Sequence, residues 1–392
     1  MATLSQNLTP SSPQIDDDRL AWLALALTPG LGPRRILEAM QQMEAPGQIF
    51  GLTLTEIEAL RFPAESAQFL FDGKARRAAE EEWTAVAAQG GAILTYGCAE
   101  YPEHLKEIYD PPPVLWVRGD AKLLARPAIA VVGTRHPSPY GSGMAEMLSR
   151  DLAARRLLIA SGMARGIDTC AHKGALAARM PTLAVWGTGI DVIYPKENKK
   201  LAEEILAGGG AILSEVPLGT FPAPQNFPRR NRILSGLSIG VLVVEASENS
   251  GTRITARCAA EQNRDLFAVP GNVTSKGAWT PNMLIRQGAK LVATWEDVWE
   301  DLPSQVRLEL ESEAASASKP ESPASLLPDP VLRPEEALVL EVLRADESLQ
   351  MDEILEQLET QLTSSEVFTA LFELEMAGRI RSLPGKNYVR VL

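Results

Sequence analysis

The sequence predicts an α/β fold of the extended Rossmann-like type, with a doubly wound, mostly parallel sheet flanked by two small helical domains. Two observations support this prediction. Short, fully apolar segments alternate with helix-length segments through the middle of the 392-residue chain, a pattern typical of parallel strands covered on both faces. The two ends of the chain instead show helical periodicity.

The N-terminal helical domain is expected to span residues 1–88, with residues 1–15, rich in Ser, Pro and Gln, loosely held. A helical pattern begins at Asp18, and the turn Thr28–Pro33 joins it to a second helix. With glycine at positions 30 and 32, this spacing is typical of a helix-hairpin-helix or SAM-like domain. The turn fits either a phosphate-binding hairpin, whose glycine amides lie open, or a plain interhelical connection.

The middle domain is expected to span residues 89–302. Its predicted strands are Ala92–Thr95, Val114–Val117, Ile129–Val132, Leu157–Ala160, Thr182–Trp186, Ala211–Leu213, Val241–Glu245 and Leu266–Val269. Helices are predicted at 142–154, 167–179, 197–207, 228–237 and 252–263. In a sheet of this kind, ligands bind beyond the carboxyl ends of the strands.

Residues 303–333, rich in Ser, Pro, Ala and Glu, are predicted to be a flexible linker. Residues 334–392 show three helical patterns followed by a hairpin with a turn at Pro384 and Gly385, which predicts a winged-helix-like domain. The third helix, 364–377, has no basic residue. We therefore expect that it does not enter a DNA major groove, and that a protein contact, or a role in dimerisation or autoinhibition, is more natural for this domain.

Charge is distributed unevenly along the chain, whose net charge is −12. Residues 127–300 hold 19 basic and 15 acidic residues, net +4, whereas residues 1–126 are net −6 and residues 301–392 net −10. A polyanionic partner is therefore expected at the middle domain. The sequence shows no apolar run long enough for a membrane span and no signal peptide, so we expect a cytoplasmic protein without a membrane partner.

Three predicted strands each run into a glycine-containing turn: Gly133–Arg135, Ser161–Asp168 and Gly187–Gly189. Free amides in such turns, at the start of a helix, favour a phosphate, and Arg135 and Arg165 add charge-assisted bonds. Neither GxGxxG nor GxxxxGK[ST] occurs, so no dinucleotide or P-loop cofactor is predicted. The three cysteines show no CxxC spacing, so neither a metal site nor a disulfide framework is expected.

The densest basic cluster is Phe227–Ile233, with arginines at 229, 230 and 232. No acidic residue occurs from Pro217 to Gly240. An aromatic ring beside arginines provides both base stacking and phosphate neutralisation, as single-stranded nucleic acid requires. The loop Glu245–Thr252 follows a predicted strand and is expected to line the same groove.

Two apparent catalytic features are interpreted as structural. Ser238 lies in a G-x-S-x-G match, but the predicted helix precedes the serine and the strand follows it, the reverse of a nucleophile elbow. His172 lies in the predicted helix one turn from Asp168, and we interpret it as a packing or capping residue. No catalytic residue is assigned, and the chain is expected not to be an enzyme.

The motifs of the middle domain resemble those of the DNA processing protein A (DprA, or Smf) family. They are Val132–Arg135, Ser161–Asp168, Tyr194–Pro195, Ser214–Glu215, Phe227–Arg232 and Pro270–Gly271. The resemblance implies a dimeric, non-catalytic binder of single-stranded DNA that acts in natural transformation. It also implies that the protein protects incoming DNA and helps to load the RecA recombinase.

The residues that the resemblance assigns to DNA binding include arginines, glycines and an aromatic ring. They are Arg135, Ser161, Gly162, Arg165, Gly166, Phe227, Arg229, Arg230, Asn231, Arg232, Gly251 and Thr255. The alternative from a different class is a Rossmann-like hydrolase that cleaves nucleoside monophosphates. The five arginines favour binding of a DNA strand over binding of a mononucleotide. The segments Met283–Ile285 and Gly288–Val292 are apolar enough for a dimer surface but suit a core equally well.

Overall fold

The structure, a computed structural model, describes residues 16–317, 333–345, 348–383 and 385–391. The expectations for residues 1–15, for linker residues 318–332 and for Pro384 lie outside the described residues. None of the helices in these ranges combines the length and the apolarity that a bilayer crossing requires.

The N-terminal region is helical, as predicted. Its helices are α1 (Asp17–Leu27), α2 (Pro33–Met40), α3 (Leu54–Ala59), α4 (Ala64–Phe71) and α5 (Lys74–Ala88), with a 3-10 turn at Pro46–Gly51. Asp16 caps α1 by accepting a hydrogen bond from the Arg19 amide. Gly30 has a φ of +81°, and Ser66 Oγ donates to the Pro29 carbonyl at 2.6 Å, which holds the turn between α1 and α2.

The middle domain is built on a nine-stranded sheet. Its strands are β1 (Gly91–Thr95), β2 (Val114–Gly119), β3 (Ala128–Val132), β4 (Leu158–Ser161), β5 (Thr182–Val185), β6 (Ala211–Ser214), β7 (Gly240–Val243), β8 (Asp265–Ala268) and β9 (Lys290–Leu291). Their order is β1-β2-β6-β5-β4-β3-β7-β8-β9, and the pairs are parallel except for β1 with β2 and β2 with β6. The predicted fold class is confirmed.

Helices cover both faces of this sheet. They are α6 (Glu103–Lys106), α7 (Pro139–Ala154), α8 (Ile167–Ala177), α9 (Lys199–Ala207), α10 (Asn226–Gly236), α11 (Thr252–Glu261), α12 (Trp279–Arg286), α13 (Trp295–Trp299) and α14 (Ser304–Ala317), with 3-10 turns at Ala121–Ala125, Lys196–Asn198 and Lys276–Ala278. From β3 the chain builds outward to β6 on one side and then to β9 on the other. The strand order therefore reverses between β3 and β7, the place where open α/β sheets bind ligands.

The prediction of a flexible linker from residue 303 does not hold for its first part. Residues 304–317 form α14, in which Leu310 is buried and Val306 packs against the core on the α7 face of the sheet. Arg126 Nη2 also donates to Glu313 at 2.7 Å. The composition hid this helix, because only two apolar residues, one helical turn apart, anchor it.

The C-terminal domain has the predicted winged-helix architecture. It contains α15 (Pro334–Val342), α16 (Met351–Leu358) and α17 (Ser364–Met376), with strands β10 (Leu349–Gln350), β11 (Ile380–Leu383) and β12 (Asn387–Arg390) in the order β10-β12-β11. Helix α17 presents Phe368 and Phe372 to solvent, 51% and 64% exposed, and has no basic residue. Its surface therefore differs from that of a helix that reads DNA.

The N-terminal helices and the sheet share one continuous core. Residues of α1, α2, α4 and α5 pack in the same buried cluster as Ile93, Trp116 and Trp186 of the middle domain. Glu82 on α5 joins the two parts directly, because its Oε1 accepts hydrogen bonds from Trp116 Nε1 and from the Leu218 amide, both at 2.8 Å. Trp116 itself is 1% exposed.

We expect Glu82→Ala to lower the free energy of unfolding by about 2 kcal/mol, because it leaves the buried Trp116 N–H without an acceptor. Urea denaturation followed by circular dichroism measures this. The matched control is Glu81→Ala, an exposed neighbour on the same helix, which should change stability by less than about 0.5 kcal/mol. Equal effects of the two substitutions would contradict the proposed role of Glu82.

Candidate nucleic-acid interface

The loops that leave β3, β4 and β5 meet at one edge of the sheet, where the first turn of α10 also lies. Together they form a groove with two lobes. The narrow lobe is lined by Arg135, Gly162, Ala164, Arg165, Trp186, Gly187, Thr188, Tyr194, Pro195, Phe227 and Arg230. The wide lobe, of about 410 Å³, adds the β3–α7 loop, Asn231 and the segment Ser250–Thr255. The lobes share Arg135, Ala164, Phe227 and Arg230, so they form one trough.

The turn after β4 is held from below by a buried carboxylate. Asp168 Oδ2 accepts hydrogen bonds from the amides of Gly162 and Ala164, at 3.1 and 3.2 Å. Met163 and Gly166 have φ angles of +60° and +74°, which fold the turn tightly. Burial raises the pKa of Asp168, and the nearby Arg230 guanidinium and the two amide bonds oppose that rise.

Arg230 forms the floor shared by the two lobes. It is 6% exposed, and its Nη1 donates to the Val185 carbonyl at 2.6 Å. The guanidinium lies against Gly162, where any β-carbon would overlap it. Among the described residues, no carboxylate lies within ion-pair distance of Arg230. Burial lowers the pKa of this arginine, but a guanidinium remains cationic at neutral pH.

Two further arginines and two aromatic rings form the rim of the groove. Arg135 is exposed, and its guanidinium carbon lies 6.0 Å from the centroid of the Phe227 ring. The Phe227 ring is 5.6 Å from that of Tyr194. Arg165 is half exposed and pairs with Glu197 at 2.6 Å. The rim therefore offers flat apolar faces next to exposed positive charge, the combination that binds unpaired nucleotides.

The loop that follows β3 is fixed by a second buried carboxylate. Glu245, after β7, accepts hydrogen bonds from the Ser138 amide at 2.9 Å and the Ser138 hydroxyl at 2.5 Å. The Thr134 amide donates to the Glu245 carbonyl at 2.6 Å. Because Ser138 caps α7, this contact ties the start of that helix to the switch point between β3 and β7.

Most of the residues predicted for the site lie together. The groove lining includes Arg135, Gly162, Arg165, Phe227, Arg230, Asn231, Gly251 and Thr255. Gly166 does not line either lobe but makes the turn behind Arg135, where a β-carbon would overlap the Thr134 carbonyl. One rim of the sheet therefore carries the predicted glycine turns and three of the predicted arginines.

Three predicted residues require correction. Ser161 is fully buried, and its hydroxyl donates to the Val131 carbonyl at 2.6 Å. Arg232 is buried in ion pairs with Glu215 and with Asp110, on the opposite side of α10 from the groove floor. Arg229 faces the same separate depression as Arg232. Neither arginine lines the groove, because residues three apart on a helix share a face, as do Phe227 and Arg230.

The predicted binding residues did not include Trp186, Thr188 or Tyr194, which line the narrow lobe. Thr188 does lie in the predicted turn Gly187–Gly189, and Tyr194 in the motif Tyr194–Pro195. Sequence reasoning also missed Asn198, whose Nδ2 donates to the Met163 carbonyl at 2.9 Å and so fixes the turn after β4. Trp186 is the last residue of the predicted strand Thr182–Trp186, on the edge where the glycine turns lie. That position could have identified it as a candidate.

The two apparent catalytic features have structural roles. Ser238 is buried after α10, and its hydroxyl donates to the Leu234 carbonyl. The buried His172 makes a 2.8 Å hydrogen bond from Nδ1 to Thr182 Oγ1, which itself donates to the Ile159 carbonyl. Nδ1 therefore carries the proton. Burial lowers the pKa of His172 to about 3, so the ring is neutral at physiological pH.

Comparisons with known proteins agree with this geometry. The sequence profile of the DNA recombination-mediator protein A family matches residues 92–303, and that of the DprA winged helix domain matches residues 318–386. Protein Smf of Escherichia coli is 42% identical over 291 residues, 74% of this chain and 75% of that protein. Protein Smf of Synechocystis is 31% identical over 96% of this chain and 99% of its own length.

A solved structure of the same family has a similar fold. DNA processing protein A from Streptococcus pneumoniae superposes with a TM-score of 0.65 at 36% sequence identity, covering 74% of this chain and 99% of that one.

The buried neutral His172 makes stability depend on pH. Its pKa is about 3 in the folded chain and about 6.5 when unfolded. The unfolded chain therefore binds more protons than the folded chain between these pH values. The stabilisation that comes from His172 is complete above pH 6.5 and declines as the pH falls. At pH 5 the loss is about 2 kcal/mol. We measure the free energy of unfolding by urea titration at pH 7.5 and at pH 5. Between these pH values it should fall by about 2 kcal/mol less in His172→Asn than in wild type. An equal fall in the free energy of unfolding in the variant and in wild type would contradict a neutral, buried His172.

Proposed function

The chain belongs to the DNA recombination-mediator protein A family, and from this premise we propose that its groove binds single-stranded DNA without catalysis. In this proposal the protein acts in the cytoplasm during natural transformation. It protects incoming strands and helps to load the RecA recombinase on them. The family's description as a recombination mediator is consistent with that role.

The observation that carries the proposal is the continuity of the groove. Arg135, Phe227 and Arg230 belong to both lobes, so a chain of phosphates and bases can run past all three. The charges of the arginines attract the phosphates of a strand whatever its base sequence. The rings of Tyr194 and Phe227 can stack with bases that are not paired. A duplex keeps its bases stacked inside, so it could not use these rings.

The alternative, hydrolysis of nucleoside monophosphates, is less well supported by the site. Asp168 is the one carboxylate among the described residues of the groove lining, and its Oδ2 already accepts two backbone hydrogen bonds. A general acid or base must reach the substrate, and this carboxylate is only 6% exposed. Incubation with nucleoside monophosphates, followed by chromatography, tests for release of free base, which we expect to be absent.

We expect Arg135→Ala to weaken binding of a single-stranded oligonucleotide about 3- to 10-fold, equally for all sequences, because it removes a phosphate contact. It should also reduce the slope of log affinity against log salt concentration by about 1. Fluorescence anisotropy over a salt series measures both quantities. The control is Arg150→Ala, an exposed arginine on α7 outside the groove lining. Equal affinities of the two variants would overturn the assignment of the groove.

We propose further that the protein is a homodimer whose surface includes the depression between α11, α12 and the start of β8. This depression measures about 780 Å³ and includes the half-buried Met283. Next to it Leu291 on β9 is 49% exposed. By contrast, Leu284 and Val292 belong to the core. An unpaired edge strand beside apolar side chains is a surface that proteins usually cover.

We expect Leu291→Asp to convert the dimer to a monomer, because it places a charge in a self-complementary apolar contact. Sedimentation velocity of the full chain measures the mass. Phe71→Asp, a comparable exposed residue on α4, serves as the control and should leave the mass unchanged. A variant that keeps the dimer mass would place the interface elsewhere, and a monomeric wild type would end the dimer proposal.

A further inference from the structure

The rim of the groove continues past the wide lobe to a second pair of an arginine and an aromatic ring. Arg253, on the first turn of α11, has its guanidinium carbon 5.5 Å from the centroid of the Trp279 ring. Arg253 is exposed, and Trp279 is 41% exposed. Ser250 and Ile254 line both the wide lobe and the depression that Arg253 lines. The pair therefore lies beside the groove, although neither of its members lines it.

The backbone that carries Trp279 is fixed to the loop that lines the wide lobe. The next residue, Thr280, is fully buried, and its amide donates to the Ala246 carbonyl at 3.0 Å. The Thr280 hydroxyl donates to the Ser247 carbonyl at 2.8 Å, and the Ala246 amide donates to the Gly277 carbonyl at 2.8 Å. These three bonds join the β8–α12 loop to the β7–α11 loop. The Trp279 ring is therefore exposed on a backbone that is held in place.

The surroundings of the pair favour an anion. Arg253 Nη1 donates to the Glu248 carbonyl at 2.9 Å, but among the described residues no carboxylate lies within ion-pair distance of Arg253. Residues 266–295 include no acidic residue, and Lys276 in this stretch is exposed. An aromatic ring beside an arginine that has no counter-ion is the composition that holds unpaired nucleotides. The rim of the groove has the same composition.

We propose that Arg253 and Trp279 form a second stacking platform, here called the exit platform, for nucleotides of the bound strand that leave the wide lobe. The Trp279 ring stacks with a base, and the Arg253 guanidinium contacts the adjoining phosphate. The inference rests on the proposed binding of single-stranded DNA and extends the bound segment beyond the groove. A strand that only fills the groove does not reach the exit platform, so the contribution of the pair depends on strand length.

The other occupant that this surface could take is a second copy of the chain. Arg253 lines one end of the depression of about 780 Å³ that we assign to the homodimer, whereas Trp279 does not line it. A two-fold contact centred on the pair would bring two copies of Arg253 together, and like charges repel. A DNA strand instead supplies the negative charge that this surface lacks. The charge of the exit platform therefore favours the strand.

The test measures the affinity of the full chain for oligo-dT strands of increasing length, by fluorescence anisotropy. Strands of about 4 to about 16 nucleotides cover the site sizes of single-strand binding folds. Trp279→Ala should weaken binding of the longest strand about 5- to 20-fold, the effect of losing one stacked base. Binding of the shortest strand should be unchanged, which also shows that the variant is folded. Trp279→Phe keeps an aromatic ring and should retain most of the affinity for the longest strand.

The role of Arg253 has its own measurement. For the longest strand, Arg253→Ala should reduce the slope of log affinity against log salt concentration by about 1, because it removes one phosphate contact. For the shortest strand the slope should stay at the wild-type value. A slope that is unchanged for the longest strand would contradict the phosphate contact.

The matched control is Tyr109→Ala, at another exposed ring beside an arginine. Tyr109 is 76% exposed, and its ring centroid lies 4.4 Å from the guanidinium carbon of Arg34, outside the groove lining. This variant should bind strands of every length as wild type does.

Three outcomes would overturn the exit platform while leaving strand binding by wild type intact. They are an equal loss of affinity in Trp279→Ala at every strand length, no loss at any length, and a change of mass of Trp279→Ala in sedimentation velocity. The last of these would assign the Trp279 ring to the homodimer contact. Failure of wild type to bind a strand of any length would instead overturn the proposed function, and the exit platform with it.

Discussion

The groove depends on one contact, the guanidinium of Arg230 lying against the backbone at Gly162. The arginine is buried beneath the trough, is held by the Val185 carbonyl, and has no carboxylate within ion-pair distance among the described residues. A buried charge is costly unless it is compensated. Here part of the compensation comes from Asp168, which lies near enough to affect its electrostatics. The rest of the positive charge faces the trough, where a bound polyanion would neutralise it.

The position of this contact follows from the topology of the sheet. The strand order reverses between β3 and β7, and the loops on either side of that point must separate to enter helices on opposite faces. Two buried carboxylates, Asp168 and Glu245, fix those loops by accepting backbone amides. The rim is therefore set by the scaffold before any ligand arrives, which reduces the ordering that binding requires.

The sequence alone allowed most of the fold to be predicted, because buried parallel strands are apolar without interruption. The strands it missed, β9 and β10, have two residues each, and neither has a run of buried apolar residues. Within the site, the sequence identified the glycine turns but treated the arginines of α10 as one group. Helical spacing separates them, because Phe227 and Arg230 share one face while Arg229 and Arg232 share another. The Nε1 donor of Trp186, which has no acceptor among the described residues, depends on tertiary packing and has no sequence pattern.

The core that the N-terminal helices share with the sheet bears on how this architecture can be divided. Met163 and Trp186, which follow β4 and β5 at the groove, belong to the same buried cluster as α1 and α5. The N-terminal helices therefore pack beneath the residues that form the trough. A fragment trimmed to the parallel sheet would expose to solvent the apolar underside of the loops that form the groove, whereas a fragment that begins at the first helix keeps that surface buried.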